Sequence, residues 1–415
     1  MVVVRPFKAV RPRADLADKV AALPYDVMNS SEAKEMVKDN PYSFLHVDKA
    51  EIDLEPNLDH YDPKVYEKAR ETLMRFIEEG VLIREEKNAF YIYTLNMNGH
   101  DQTGLVSLAS IDDYLNNAIK KHEFTRAEKE EDRIRHVDKT NFHTGPIFLT
   151  YVAKEKISQL VEKYKKDHAP LYDFVAEDGV KHTAWVILEE EIIEALREAF
   201  QDISALYIAD GHHRAASAVK VGLKRREENP NYTGDEEFNY FLSVIFPSSE
   251  LKIMDYNRLV KDLNGHSEEY FLNLLEENFD VTALEGAKPY KPERKHEFGM
   301  YLDKKWYKLQ AKEQIIFDED PLKRLDAKIL QDHLLHPILG IEDPRVDRRI
   351  DFVGGIRGLE ELEKRVDHDM KVAFSMFPTT ILDLISIADA DMVMPPKSTW
   401  FEPKLRSGLF LHDLE

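Results

Sequence analysis

The apolar residues Leu206-Tyr207-Ile208-Ala209 pass directly into Asp210-Gly211 and then into a helical pattern that runs to about Glu228 and is closed by Asn229-Pro230. A strand that enters a helix within two residues needs the backbone freedom of glycine at the turn, and a strand-turn-helix of this kind commits the chain to an α/β fold. Ala215, Ala216 and Ala218 keep the start of the helix slim, so it can lie close to a sheet. The rest of the pattern agrees. Candidate strands at 2–10, 43–47, 89–95, 104–108, 147–152, 241–246 and 251–254 are interleaved with helical periodicity at 62–85, 112–135, 155–165 and 189–200. Asn98-Gly99 and Asp178-Gly179 supply hairpin turns, and Ser30 or Ser31 caps a helix running to about Lys38.

A chain of 415 residues is long enough for two or three domains, or for one domain carrying large insertions. The character of the sequence changes near 260, which predicts a first domain at 1–260 and a C-terminal α/β domain at 261–415, with a Pro/Lys-rich linker at 287–295. Cysteine is absent, so disulfides, thiolate metal sites and cysteine nucleophiles are excluded, and any metal must be held by oxygen or imidazole. The formal charge of -21 disfavours extended contact with nucleic acid or anionic lipid but leaves room for a local basic pocket. The first residues lack the apolar core of a secretory signal and no stretch is long enough to span a bilayer, so the expected location is the cytoplasm.

The densest chemistry sits at the strand-turn-helix itself. The first turn of the helix carries free backbone N–H groups and the positive end of the helix dipole, which suits an anion. Gly211, His212, His213 and Arg214 are therefore candidate phosphate-binding residues, with the Arg214 guanidinium offering a planar fork and the histidines able to move protons near neutral pH. Asp210 is expected at the N-cap, where it holds the turn, coordinates Mg²⁺ or accepts a proton.

Three further segments carry candidate residues. His122 and Glu123 open a highly charged helical stretch, of which 129–135 reads as a solvated face. Asp26 follows a proline-punctuated loop at 21–25. Near the C-terminus Lys397, Ser398, Thr399 and Lys404 gather cations and hydroxyls in an otherwise acidic chain, and fit phosphate better than a plain surface strap. The glycines at 354–355 read as a plain strand-to-helix turn, and His333 with His336 lacks a zinc pattern.

The Asp210-Gly211-His212-His213-Arg214 box at the mouth of a helix resembles the signature of the ParB/sulfiredoxin-like fold, in particular its free-serine kinase branch. A second resemblance runs nearly end to end, through Arg5-Pro6-Phe7, Leu23-Pro24-Tyr25-Asp26-Val27, His122-Glu123, the same box, Tyr256-Asn257-Arg258-Leu259 and the segment 394–404, to a bacterial and archaeal family defined by a domain of unknown function. The first resemblance implies an elaborated ParB-like core, ATP or ADP bound through phosphate at the helix N-terminus, Mg²⁺, a catalytic aspartate at Asp210, and an upstream glutamate that activates the substrate hydroxyl. No glutamate stands in a clear match, and Asp26 and Glu123 are the candidates. The sulfiredoxin branch needs a cysteine where His212 or His213 stands, so that chemistry is excluded.

Together these features predict a nucleotide-dependent phosphotransferase acting on a small hydroxyl metabolite, with free serine preferred by the resemblance, and they are compatible with a homodimer. The alternatives are a phosphohydrolase acting on phosphoserine or a similar ester, and a nucleotide-dependent regulator in the manner of ParB, which the negative charge disfavours.

Overall fold

The computed structural model describes residues 2–286 and 288–415. Position 287, where the expected linker begins, lies outside the described residues. The chain divides into two units, one made of Met1–Leu251 with Pro403–Glu415 and the other of Lys252–Glu402. The expected mixed α/β architecture is present in both. The last residues, assigned from sequence to the second domain, pack in the first instead.

A mixed nine-stranded sheet organises the first unit. Its strands are β1 (Val4–Arg5), β2 (Phe90–Met97), β3 (His100–Ser110), β4 (Ile119–Lys120), β5 (Ile147–Tyr151), β6 (Tyr172–Val175), β7 (Lys181–Ile187), β8 (Leu206–Asp210) and β9 (Tyr240–Pro247). They lie in the order β4-β8-β5-β9-β3-β2-β7-β6, with β1 paired to β3. The β4–β8 and β5–β9 pairs are parallel, while β8 runs antiparallel to β5. Asn98 and Gly99 both adopt positive φ and close the β2–β3 hairpin, as their sequence predicts.

Three helices matter most for the site: α1 (Pro63–Glu78), α2 (Ala127–Thr140) and α3 (His212–Glu228). Ala215, Ala218 and Val219 of α3 join Leu149, Ile208, Phe241 and Ile245 in the main core, which is how the slim face of the helix is used. A second cluster gathers Phe44, Val47, Leu73, Phe76 and Leu411.

Several elements differ from their expectation. The strand expected at 43–47 does not form: Leu45–Asp48 is a short helix, with the Leu45 amide donating to the Ser43 hydroxyl at 3.3 Å and Phe44 and Val47 buried three apart. An apolar run this short fits either period. The strand expected at 2–10 is broken at Pro6 into Val4–Arg5 and Val10–Pro12. The cap expected of Ser30 or Ser31 is supplied instead by Asn29, which forms a capping box with Glu32. The solvated face expected at 129–135 is partly interior, because α2 packs against both α1 and α3 and buries Glu130, Asp132 and Arg133.

The second unit is built on a six-stranded antiparallel sheet. Its strands are β10 (Tyr256–Val260), β11 (Phe279–Ala283), β12 (Glu297–Leu302), β13 (Lys305–Ala311), β14 (Ile350–Gly354) and β15 (Val372–Met376), in the order β11-β13-β12-β15-β10-β14. Phe271, Phe298, Leu309 and Phe374 lie in its core. After β14 the chain makes only a short 3-10 turn, Gly355–Arg357, as a plain connection should. No described helix is long and apolar enough to cross a membrane.

Candidate functional site

The pairing of β8 with β5 shifts register between Ile208 and Asp210, so the end of the strand is kinked just before the turn. Gly211 follows at φ 88° and ψ 31°, in the left-handed region, and is itself the N-cap of α3. This corrects the position expected for Asp210, which is the last residue of β8 rather than the cap. A glycine that already turns the chain leaves no place for a side-chain cap. The backbone N–H groups of His212, His213 and Arg214 fall in the first turn, where no intrahelical acceptor exists.

Both oxygens of Asp210 are engaged. The Gly211 N–H donates to Oδ1 at 2.8 Å, and the Lys404 ammonium donates to Oδ2 at 2.8 Å. Burial works to raise the Asp210 pKa, but the Lys404 charge and these hydrogen bonds outweigh it and hold the carboxyl below its ordinary range. The aspartate is therefore ionised at neutral pH. Each Asp210 oxygen keeps a lone pair beyond these hydrogen bonds, so the carboxylate is still able to accept a proton or to ligate a hard cation such as Mg²⁺.

His212 and His213 point to different tasks. His212 is buried, and burial followed by the neighbouring His122 pushes its pKa well down. His213 is partly exposed, and the Arg126 backbone N–H donates to its Nε2 at 3.0 Å. The neutral ring therefore carries its proton on Nδ1. Burial also lowers the His213 pKa, while the nearby Asp26 carboxylate acts in the opposite direction.

Arg214 does not stand free as a phosphate fork. One Nη2 donates to Asp48 Oδ2 at 3.4 Å and to the Ser407 hydroxyl at 3.2 Å, and the guanidinium lies 5.3 Å from the centre of the Tyr25 ring. The Arg133 guanidinium covers the same ring at 3.9 Å. Asp48 is buried, accepts from the Thr144 hydroxyl at 2.7 Å, and has its pKa brought down to about 2: burial raises it, and Arg214, His136 and Arg133 together more than reverse that. Gly145 makes room for this arrangement, since a Cβ there would stand 1.8 Å from Arg214 Nη1.

The other expected residues are placed as follows. Asp26 is exposed, next to Tyr25 and within electrostatic reach of His213. Glu123 is on the bend between β4 and α2, with Oε2 4.0 Å from His212 Nδ1. Lys404, in the C-terminal segment of the first unit, reaches Asp210 directly. Lys397, Ser398 and Thr399 belong to the second unit, where Lys397 lies 5.5 Å above the Tyr256 ring and the Ser398 hydroxyl donates to the Pro395 carbonyl at 2.7 Å. The first unit thus brings together Asp210, the box, Lys404, Asp26 and Glu123. Sequence reasoning did not find Asp48, Arg133 or Ser407, although Tyr25 stood in a quoted motif.

Among solved structures, the chain is similar to a free serine kinase mutant in complex with AMP, at 16% identity and TM-score 0.38, over 74% of this chain and 92% of that one. A conserved hypothetical protein from Pyrococcus furiosus matches at 14% identity and TM-score 0.35, over 74% and 94%. SbnI with a C-terminal truncation from Staphylococcus aureus matches at 10% identity and TM-score 0.38, over 72% and 82%. No curated protein matches the sequence. The family model described as protein of unknown function, DUF1015, matches residues 4–328, more than half of the chain, and the protein belongs to that family.

Proposed function

We propose that this protein transfers a phosphoryl group from a nucleotide to a small hydroxyl metabolite, with free serine as the preferred acceptor. The observation that carries the reading is the ionised Asp210–Lys404 pair at the end of β8, immediately before a glycine turn that opens α3 with three N–H groups. An anion in that first turn gains hydrogen bonds and the favourable end of the helix dipole, and the Lys404 ammonium adds a point charge beside it. The choice of serine rests on the resemblance of the 210–214 box to the free-serine kinase branch, as does the ParB/sulfiredoxin-like description of the core.

In this reading the phosphate oxygens accept from the amides of His212, His213 and Arg214. The substrate hydroxyl oxygen attacks the terminal phosphorus, the bond from that phosphorus to the nucleotide oxygen breaks, and the hydroxyl proton passes to the Asp210 carboxylate. A carboxylate of lowered pKa is a weak base, which suits a reaction whose transition state is loose and needs positioning more than proton abstraction. His213 Nδ1–H donates towards developing negative charge, and Glu123 or Asp26 orients the hydroxyl. Arg214 supports the turn from behind through Asp48 and Ser407 rather than gripping phosphate itself.

The test is direct. Serine incubated with ATP or ADP is expected to give phosphoserine, followed by phosphorus NMR, with turnover reduced at least about 100-fold in Asp210→Asn. Release of inorganic phosphate from phosphoserine without the forward reaction would favour hydrolysis instead, and no turnover in either direction removes both.

A further inference from the structure

A second site lies beside the first and shares Glu123 with it, so that a metal there leaves Asp26 to orient the hydroxyl. His122 follows β4, the strand that runs parallel to β8, and His212 begins α3. The topology therefore sets two imidazoles edge to face, with ring centres 4.5 Å apart and planes at 87°. Both residues are at least nine-tenths buried, at 1% and 5% exposure. Neither ring nitrogen of His122 and not Nε2 of His212 has a hydrogen-bond partner; the Ile208 carbonyl lies near His122 without meeting hydrogen-bond geometry. Three of the nine such orphaned side-chain atoms among the described residues thus fall on this one pair.

Buried polar groups are almost always satisfied, because leaving one unpaired forfeits its hydration with no return. Two adjacent histidines with three bare nitrogens make a poor core pair and a good ligand set. Glu123 completes it: its carboxylate, His122 and His212 each offer a ligand atom, and these atoms lie within 4.8 Å of one another. Nitrogen and oxygen ligands around a tetrahedral ion stand about 3.4 Å apart when each bond is about 2.1 Å. Glu123 Oε2 already stands 4.0 Å from His212 Nδ1, close to that spacing.

We propose that His122, His212 and Glu123 bind a divalent transition-metal ion of the zinc class. Two imidazoles and one carboxylate suit such ions better than Mg²⁺ or Ca²⁺, and they leave at least one coordination position open. The neutral imidazole is the form that ligates, and both rings are buried with bare nitrogens available for it. The site rests on its own geometry and not on phosphoryl transfer. A metal here adds positive charge two residues from Asp210, and it reassigns the His212 side chain from phosphate contact to metal binding while leaving its backbone N–H available.

The test uses the full-length protein, stripped with a chelator and titrated with Co²⁺ followed by visible absorption, then with Zn²⁺ as competitor. One equivalent of Co²⁺ is expected, with the intense ligand-field bands of a low-coordinate site, displaced by one equivalent of Zn²⁺. His212→Asn and Glu123→Gln are each expected to weaken binding at least about tenfold. Glu123→Gln alters a half-exposed side chain, so its circular dichroism should match the parent even if the histidine variant fails to fold. No stoichiometric binding by the parent protein, or binding in Glu123→Gln within a factor of about ten of the parent, overturns the assignment. Neither readout requires nucleotide or serine, so the metal site and the phosphotransfer reading can fail separately.

Discussion

At the scale of single residues the site is a balance between Asp210, which must stay ionised, and Lys404, which keeps it so. The ammonium 2.8 Å from Oδ2 offsets the burial that would otherwise raise the carboxyl pKa. We expect Lys404→Met to lower phosphotransfer kcat by roughly 100-fold and to move the acidic limb of the pH–rate profile upwards, because Asp210 then holds its proton to higher pH. An unchanged profile would mean that Lys404 acts only in packing. The 210–214 box was legible in sequence because a glycine between an apolar strand and a helix has few other meanings. Asp48 and Arg133 were not, since each sits in a charged stretch whose surface character ends only where tertiary packing closes over it.

At the scale of elements, the C-terminal segment does more than deliver Lys404. Ser407 exchanges backbone hydrogen bonds with Ala22 at 2.9 and 3.1 Å, Leu411 with Val10 at 2.8 and 3.0 Å, and His412–Asp413 pairs with Phe142–His143. Arg406 binds Asp178 and donates to His182 Nε2 at 3.2 Å. Leu411 is fully buried in the cluster with Phe44 and Phe76, so Leu411→Ala is expected to destabilise the first unit by about 2–5 kcal/mol in urea titration. A loss below about 1 kcal/mol would show the segment to be a loose strap. Strands and helices with long periodic patterns were readable in advance, whereas Leu45–Asp48 was not, because four residues carry too little periodicity to separate a turn of helix from a strand. The return of Pro403–Glu415 to the first unit is a matter of long-range pairing, which local pattern does not encode.

At the scale of the whole molecule, buried ionisable groups couple folding to pH. Burial, reinforced by Arg133, lowers the His136 pKa to about 4 from its ordinary 6.5. The unfolded chain therefore binds the proton first, and stability falls as pH drops from about 6.5 towards about 4, by on the order of 3 kcal/mol for this residue. Asp48, with its pKa at about 2, extends the loss: its contribution is present above about pH 4 and disappears as pH falls through about 2. Thermal melts are expected to show a Tm that declines from near neutrality into acid, and a flat Tm between about pH 7 and pH 4 would contradict these burials. The central claim concerns the turn at Gly211, and calorimetric titration with ADP tests it. The parent protein is expected to bind ADP, and Gly211→Ala, which strains a residue at φ 88° and tilts the amides that follow, is expected to bind at least about tenfold more weakly with an unchanged circular dichroism spectrum. Equal affinity in the two proteins, or no heat of binding in the parent, would contradict it.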